Sequence, residues 1–188
     1  MMSSQASIYS YKEKMIFLKQ HNQIPQEEIL EQTYQRTLNN LLETKKNIDF
    51  NKINEIIDIM DASNDVTFIG DEHDLDELYV LQLSLLTSGK PAYLFRVNET
   101  KEIHSNYLTD KSTLVIVNVA DAFFHFQDIL NKVKEVKGKI IYISQDYNEE
   151  ISKDCDITYI YGIPQSYNYG YTSLTFLGQL FHNLYINR

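Results

Sequence analysis

Cysteine and long apolar runs are what this chain of 188 residues most clearly lacks. Its single thiol, Cys155, excludes an intrachain disulfide and a zinc site built on cysteines. No apolar run approaches the ~20 residues that a membrane-spanning helix needs. Residues 1–7 have neither the positive charge nor the apolar stretch of a secretion signal. The sequence therefore predicts a cytoplasmic protein that makes no contact with a membrane.

Positive charge is also scarce. The chain has 17 Lys and Arg residues against 26 Asp and Glu residues, which gives a formal net charge of -9. A surface that binds nucleic acid is normally a basic patch that neutralises phosphates. Only the N-terminal segment is locally basic, because Lys12, Lys14 and Lys19 outnumber Glu13. We therefore expect no binding of nucleic acid by this chain alone.

From residue 63 onward, short apolar segments alternate with segments of helical periodicity. The predicted strands are 66–69, 91–96, 114–119, 139–143 and 157–161. The predicted helices among and after them are 74–88, 123–137 and 171–187. Mostly continuous apolar strands that alternate with helices indicate a parallel sheet covered on both faces. The sequence predicts an α/β three-layer sandwich with a five-stranded, mostly parallel sheet.

Helices precede this α/β segment. Apolar residues at intervals of three to four predict a helix over 26–45 and another over 50–61, with Asp49 as its N-cap. The apolar stripe of the first helix is too long for one small domain to bury. The closing helix, 171–187, is apolar on more than one face. We therefore expect a homodimer that uses these helices.

The most distinctive stretch follows the first predicted strand. There Gly70 is followed by Asp71, Glu72, His73 and Asp74. A turn of this kind often cradles phosphate in α/β proteins, because free N–H groups at a helix start attract an anion. Here the loop carries its own anions. One interpretation is a site for an amine or a hard cation such as Mg²⁺, and the other is ordinary helix caps and dipole partners. The second is simpler, and we predict no metal and no cofactor.

Signals for catalysis are weak. No Gly-x-Ser-x-Gly elbow occurs in the chain. Cys155 lies between Asp154 and Asp156, whose charges should raise the pKa of its thiol. His73 and His125 could face each other as a base or a pH switch if their loops are adjacent, or His125 packs on its own helix. We therefore predict that the chain is not an enzyme.

Tyrosines cluster near the C-terminus. They are Tyr159, Tyr161, Tyr167, Tyr169 and Tyr171. Tyrosine offers broad contact area and a hydroxyl at low entropy cost, which suits a recognition surface at a subunit interface. The alternative is that the first two lie on the last strand and the others in a loop, half buried.

Several stretches follow one another in an order and at a spacing that carry a family resemblance. They are 56–60 leading into 66–70, then 85–90, 107–109 before 114–117, 138–144, and the closing helix around Leu174, Leu177, Leu180 and Phe181. From about residue 30 to the end, this layout resembles the C-terminal half of RpiR-type transcriptional regulators. Those proteins join a helix-turn-helix domain to a sugar-isomerase (SIS) domain that senses phosphosugars.

The resemblance implies a division of the chain. Residues 9–18 look like the last helix of the family's DNA-binding domain. On this basis 1–22 is a remnant of that domain, 23–62 is a helical linker and dimerisation segment, and 63–188 is a SIS-like domain. The implied function is the effector-sensing and dimerisation domain of a regulator of sugar metabolism. The alternative is a sugar-phosphate isomerase of the same fold.

Two loops of the family hold the phosphate, and both differ here. The first reads roughly Gly-x-Gly-x-Ser and corresponds to Gly70, Asp71, Glu72, His73 and Asp74. The second reads roughly Ser-x-Ser-Gly-x-Thr and corresponds to Asn118, Val119, Ala120, Asp121, Ala122 and Phe123. The hydroxyls that would hold a phosphate are gone, and carboxylates take their place.

These loops supply the candidate residues of a ligand cleft. They are Gly70, Asp71, Glu72, His73, Asp74, Asn118, Ala120, Asp121 and Phe123. A carboxylate repels a phosphate dianion, more strongly as water is excluded. We therefore expect a degenerate phosphosugar site, and a small carbohydrate ligand that is neutral, cationic or bridged by a metal.

Overall fold

A computed structural model describes residues 25–97, 99, 108–118, 123–164 and 170–188 of the chain. The chain divides into two units, residues 1–36 and 37–188. The described part of the first unit is 25–36, which is helical from Gln26. The predicted DNA-binding remnant, 1–22, lies outside the described residues, so the division into three segments stays a prediction.

Helices and strands alternate through the second unit. In chain order the elements are α1 (Gln26–Lys46), α2 (Phe50–Ala62), β1 (Asp65–Gly70), α3 (Glu72–Glu77), α4 (Tyr79–Thr87), β2 (Ala92–Arg96), β3 (Ser112–Val117), α5 (Phe123–Glu135), β4 (Lys139–Ser144), α6 (Glu149–Ser152), β5 (Ile157–Ile160) and α7 (Gly170–Ile186). The predicted cap of α2 is present, because a carboxylate oxygen of Asp49 accepts from the backbone N–H groups of Asn51 and Lys52. No helix in the described part of the chain is long and apolar enough to cross a membrane.

The five strands form one sheet in the order β2-β1-β3-β4-β5, and every neighbouring pair is parallel. This confirms the predicted five-stranded sheet. Its central strand, β3, is buried along its whole length, as its continuous apolar sequence predicts. The chain passes from β1 to β2 on one side of it, and then from β2 across to β3 on the other side of β1. In open α/β sheets such a switch point leaves a crevice at the carboxyl ends of the strands.

Side chains from the two faces of the sheet enter two separate cores. Val66 and Phe68 of β1 pack with residues of α2, α3, α4 and α7. Ile69 of the same strand packs with residues of α5 and α6 on the other face. Successive side chains of a strand point to opposite faces, so the sheet is covered on both sides. The predicted three-layer sandwich is therefore confirmed, and α2 is part of its core.

One predicted helix is divided in the structure. Residues 74–88 have a continuous helical pattern, but the chain forms α3 and α4, with Leu78 between them at φ -97° and ψ 1°. A Cβ at Gly178 of α7 would come within 2.8 Å of the Glu77 carbonyl oxygen. The break lets α7 pack directly against this turn of backbone, a long-range contact that periodicity does not reveal.

Candidate functional site

Asn118 joins the carboxyl ends of the strands. It follows β3 and has a φ of 49°, a left-handed conformation that asparagine tolerates better than most residues. Its Nδ2 donates to Oδ1 of Asp74 at 2.8 Å and to the hydroxyl of Tyr161 at 2.6 Å. Its Oδ1 accepts from the backbone N–H of Gln145 at 3.0 Å. One amide thus connects the segments that follow β1, β3, β4 and β5.

Asp74 is the buried member of the acidic loop. It lies in the first turn of α3, and only 6% of its surface is exposed. Burial raises the pKa of its carboxyl group from 3.8 to about 6. The hydrogen bond from Asn118 and the charge of His73 oppose this shift, whereas the charges of Asp71 and Glu77 add to it. The carboxyl end of the sheet therefore contains a carboxylate that is poorly solvated and close to its titration range.

The rest of the acidic loop faces solvent. Asp71, Glu72 and His73 are exposed. Glu72 forms an ion pair with Arg96 at the end of β2. The ring of His73 meets the ring of Tyr171 edge-on, with centroids 5.8 Å apart. Among the described residues, no three metal-ligating side chains are grouped to hold a metal ion. Within the acidic loop, Asp74 is thus buried, whereas Asp71, Glu72 and His73 are exposed.

The other candidate residues are placed as follows. Gly70 ends β1 close to β3, because a Cβ there would lie 3.2 Å from the Val117 carbonyl oxygen. Phe123 begins α5. Ala120 and Asp121 lie outside the described residues. Of the candidates selected by comparison of the loops, the structure therefore brings Asp74 and Asn118 into direct contact. That these candidates bind a ligand stays a prediction.

Tyr161 is hydrogen-bonded to the candidate residue Asn118 and was not among the predicted cleft residues. It directly follows β5 and is 1% exposed, and burial raises the pKa of its phenol. Tyr159 is also buried, so neither residue forms part of a recognition surface. Tyr171 is partly exposed, and burial together with the charges of Asp74 and Asp71 raises its pKa. Applying the carboxyl-end rule to β5 as well as to β1 and β3 would have found Tyr161.

A second layer of buried amides lies behind Asn118. The side chain of Gln145 packs so tightly on Gly170, the first residue of α7, that a Cβ at that position would overlap it. A Cβ at Gly162 would lie 2.5 Å from Oδ1 of Asn40 and 3.0 Å from Nε2 of Gln145. Asn40, on α1, is fully buried and accepts a hydrogen bond from the Ser173 hydroxyl at 2.7 Å. Sequence reasoning missed this layer, because asparagine and glutamine are usually surface residues.

Cys155 is remote from this cleft. It lies before β5, at the amino end of the strand, whereas the candidate site lies at the carboxyl ends, and it donates to the Ile151 carbonyl at 3.1 Å. Burial, with the charges of Asp154 and Asp156, raises the pKa of its thiol to about 12. The acidic neighbours act in the predicted direction, and burial is the larger cause. The thiol is therefore not a nucleophile at neutral pH.

The chemistry of the cleft follows from these groups. The described residues around Asp74 offer a carboxylate, an amide and two phenols. The ion pairs of the described part of the chain do not include Asp74. A carboxylate accepts hydrogen bonds from hydroxyl or ammonium groups, whereas a phosphate is held by donors.

Solved structures share this fold. NanR of Vibrio vulnificus, complexed with ManNAc-6P, matches with a TM-score of 0.71 and 14% identity over 92% of this chain and 66% of that one, so this chain spans just under two thirds of NanR. The sugar isomerase domain of an RpiR transcription factor from Sphaerobacter thermophilus matches with a TM-score of 0.67 and 12% identity, over 82% of this chain and 87% of that one.

An enzyme-related structure is similar as well. A protein of Methanococcus jannaschii, whose structure led to the inference of 3-hexulose-6-phosphate isomerase function, matches with a TM-score of 0.65. It has 16% identity over 84% of this chain and 90% of that one. No protein-family model and no curated protein matches the sequence. The chain thus has the SIS fold, which regulators and isomerases share.

Proposed function

We propose that this chain is the effector-sensing and dimerisation domain of an RpiR-type regulator of sugar metabolism, with a cleft that no longer accepts phosphate. The shared fold with NanR and with the RpiR factor supports the regulatory class. One observation carries the proposal for the ligand. The buried carboxylate of Asp74 is hydrogen-bonded to Asn118 at the carboxyl ends of β1 and β3, where open α/β sheets bind ligands.

Charge determines the ligand class. A phosphate dianion beside Asp74 either is repelled by the carboxylate or requires the carboxyl group to be protonated, which for a pKa of about 6 costs about 3 kcal/mol at about pH 8. A ligand of millimolar to micromolar affinity has only about 4–8 kcal/mol of binding free energy. The conflict therefore removes a large part of the affinity for a phosphosugar at about pH 8, where the test is best made. A neutral sugar or an amino sugar instead donates hydrogen bonds to Asp74, and an ammonium group also compensates its charge.

Calorimetry and thermal shift test this ligand class. We expect glucosamine 6-phosphate, fructose 6-phosphate and N-acetylmuramic acid 6-phosphate to bind negligibly without added divalent metal, and an unphosphorylated amino sugar such as glucosamine to bind more tightly. Asp74→Asn should weaken glucosamine and strengthen the phosphates, whereas the exposed control Asp76→Asn should change neither. Saturable micromolar binding of any of these phosphosugars to the unmodified chain would contradict the proposal.

The rival function is a sugar-phosphate isomerase, which the Methanococcus jannaschii structure favours. Ring opening and proton transfer need a base that reaches the sugar. Asp74 is the buried acid nearest to this role, but its carboxylate already accepts from Asn118. We expect no turnover of ketose or aldose phosphates and no electrophoretic shift of DNA by this chain alone. Robust isomerase turnover would reverse the ranking of the two functions.

The chain acts as a homodimer in this proposal. The apolar residues of α7, such as Leu174 and Phe181, are buried in the core of their own domain. Leu42 of α1 is exposed, and α4 exposes an apolar stripe at helical spacing that consists of Tyr79, Leu83 and Leu86. Helix α7 is apolar on more than one face because its residues are buried within its own domain, as is typical of such helices. We therefore base the proposed dimer on α1 and α4 rather than on α7.

A further inference from the structure

We propose that a buried amide relay, formed by Asn118, Gln145 and Asn40, couples the state of the Asp74 cleft to helix α1. This inference rests on the proposed function, because it takes the cleft to be the place where a ligand binds. The relay lies within residues 37–188, which form one of the two units of the chain.

The first step of the relay is at Asn118. Its Nδ2 donates to both Asp74 and Tyr161, so the donor capacity of this amide is fully used. Its Oδ1 holds the backbone N–H of Gln145 at 3.0 Å. When a ligand competes for the carboxylate of Asp74, the bond to Asn118 has to change. A movement of the Asn118 side chain therefore breaks this hydrogen bond or shifts the backbone of Gln145 with it.

The second step depends on tight packing around Gln145. Gly170 and Gly162 lie so close to its side chain that a methyl group at either position would displace it. A displacement of Gln145 should therefore be passed on to its neighbours, since packed interiors transmit strain. The space beside Gly162 is shared with Oδ1 of Asn40, so the displacement reaches α1.

The third step fixes α1. Asn40 is fully buried, and it is held by the hydroxyl of Ser173 at 2.7 Å. One turn later, the Thr44 hydroxyl donates to the Asn40 carbonyl at 2.9 Å, and Thr44 is buried too. Buried polar groups of this kind are retained where they specify one arrangement of packed elements. Here they specify the position of the last turns of α1, the helix that begins at Gln26.

Amide hydrogen exchange on the full chain tests the relay without any ligand. Asn118→Gly removes the side chain and keeps the positive φ. We expect exchange in residues 37–46 to accelerate about fivefold, at the low end of measured allosteric couplings, with residues 50–62 unchanged. Ser112→Ala is the matched control, because the Ser112 hydroxyl also links β3 to β1, through Asp65, but at the amino ends of the strands.

Removal of the Gln145 amide, the middle group of the relay, supplies the second measurement. In a Gln145→Met background, which keeps side-chain length without the amide, Asn118→Gly should no longer accelerate exchange in α1. The relay would be overturned if Asn118→Gly left exchange in α1 unchanged or accelerated α1 and α2 equally. It would also be overturned if Ser112→Ala gave the same response, or if the effect of Asn118→Gly persisted in Gln145→Met. Sugar calorimetry reports on the cleft independently, so a failed relay and a failed ligand site are distinguishable.

Discussion

Asp74→Asn should stabilise the protein above pH 6. The folded state raises the pKa of this carboxyl group from 3.8 to about 6, chiefly through burial. Between these values the folded protein binds a proton that the unfolded chain releases, so the free energy of unfolding falls as pH rises. Above about pH 6 both states are ionised and the whole cost is present. Two pKa units correspond to about 3 kcal/mol, which asparagine avoids while keeping an acceptor for Asn118.

Urea denaturation of both proteins at intervals from pH 4 to pH 8 measures this effect. The variant should gain stability relative to the unmodified chain progressively up to about pH 6, and the gain should then level off. The charges that act on this carboxylate belong to Asp71, His73 and Glu77, which both proteins share. Asp76→Asn, an exposed change on the same helix, is the control and should show no such profile. A stability difference that does not depend on pH would refute the assignment of a buried, titrating carboxylate.

Three further perturbations test other parts of the structure. Gly162→Ala should destabilise the fold by about 1–3 kcal/mol in urea, because its φ of 67° is unfavourable for alanine and the new Cβ would lie 2.5 Å from Oδ1 of Asn40; wild-type stability would contradict this packing. Leu83→Lys should convert the proposed dimer to a monomer in light scattering at tens of micromolar, whereas Glu55→Lys, a change at an exposed position of α2, should not. A wild-type monomer at that concentration would exclude the dimer. Cys155 should react with a thiol reagent roughly fiftyfold more slowly than an ordinary thiol until the chain unfolds, because raising its pKa from 9.0 to about 12 lowers the thiolate fraction more than it raises the reactivity of the thiolate.

The sheet could be predicted because its inner strands, β1, β3 and β4, are buried on both faces almost throughout. Segments such as 114–117 and 140–143 are therefore continuous apolar runs, and each proved to lie in a strand. The break at Leu78 could not be predicted, since it depends on the close approach of Gly178 from a distant part of the chain. A periodic pattern reports which face of a helix is buried, and it contains no information about which backbone approaches that helix.

The cleft was predictable in part. Comparison of loops selected Asp74 and Asn118, which the structure joins by a hydrogen bond. It did not select Gln145 or Asn40, because nothing in their local sequence distinguishes a buried amide from a surface amide. Their burial follows from long-range packing against Gly162 and Gly170.

The tight packing of Gln145 on Gly170 also restricts how this protein can evolve. A side chain at position 170 or 162 would displace that of Gln145, so such a substitution should be tolerated best when position 145 changes as well. The three positions should therefore change together among homologues, with intermediate single mutants disfavoured. Specificity can diverge more freely through the exposed acids before and within α3, which no such constraint links to the core.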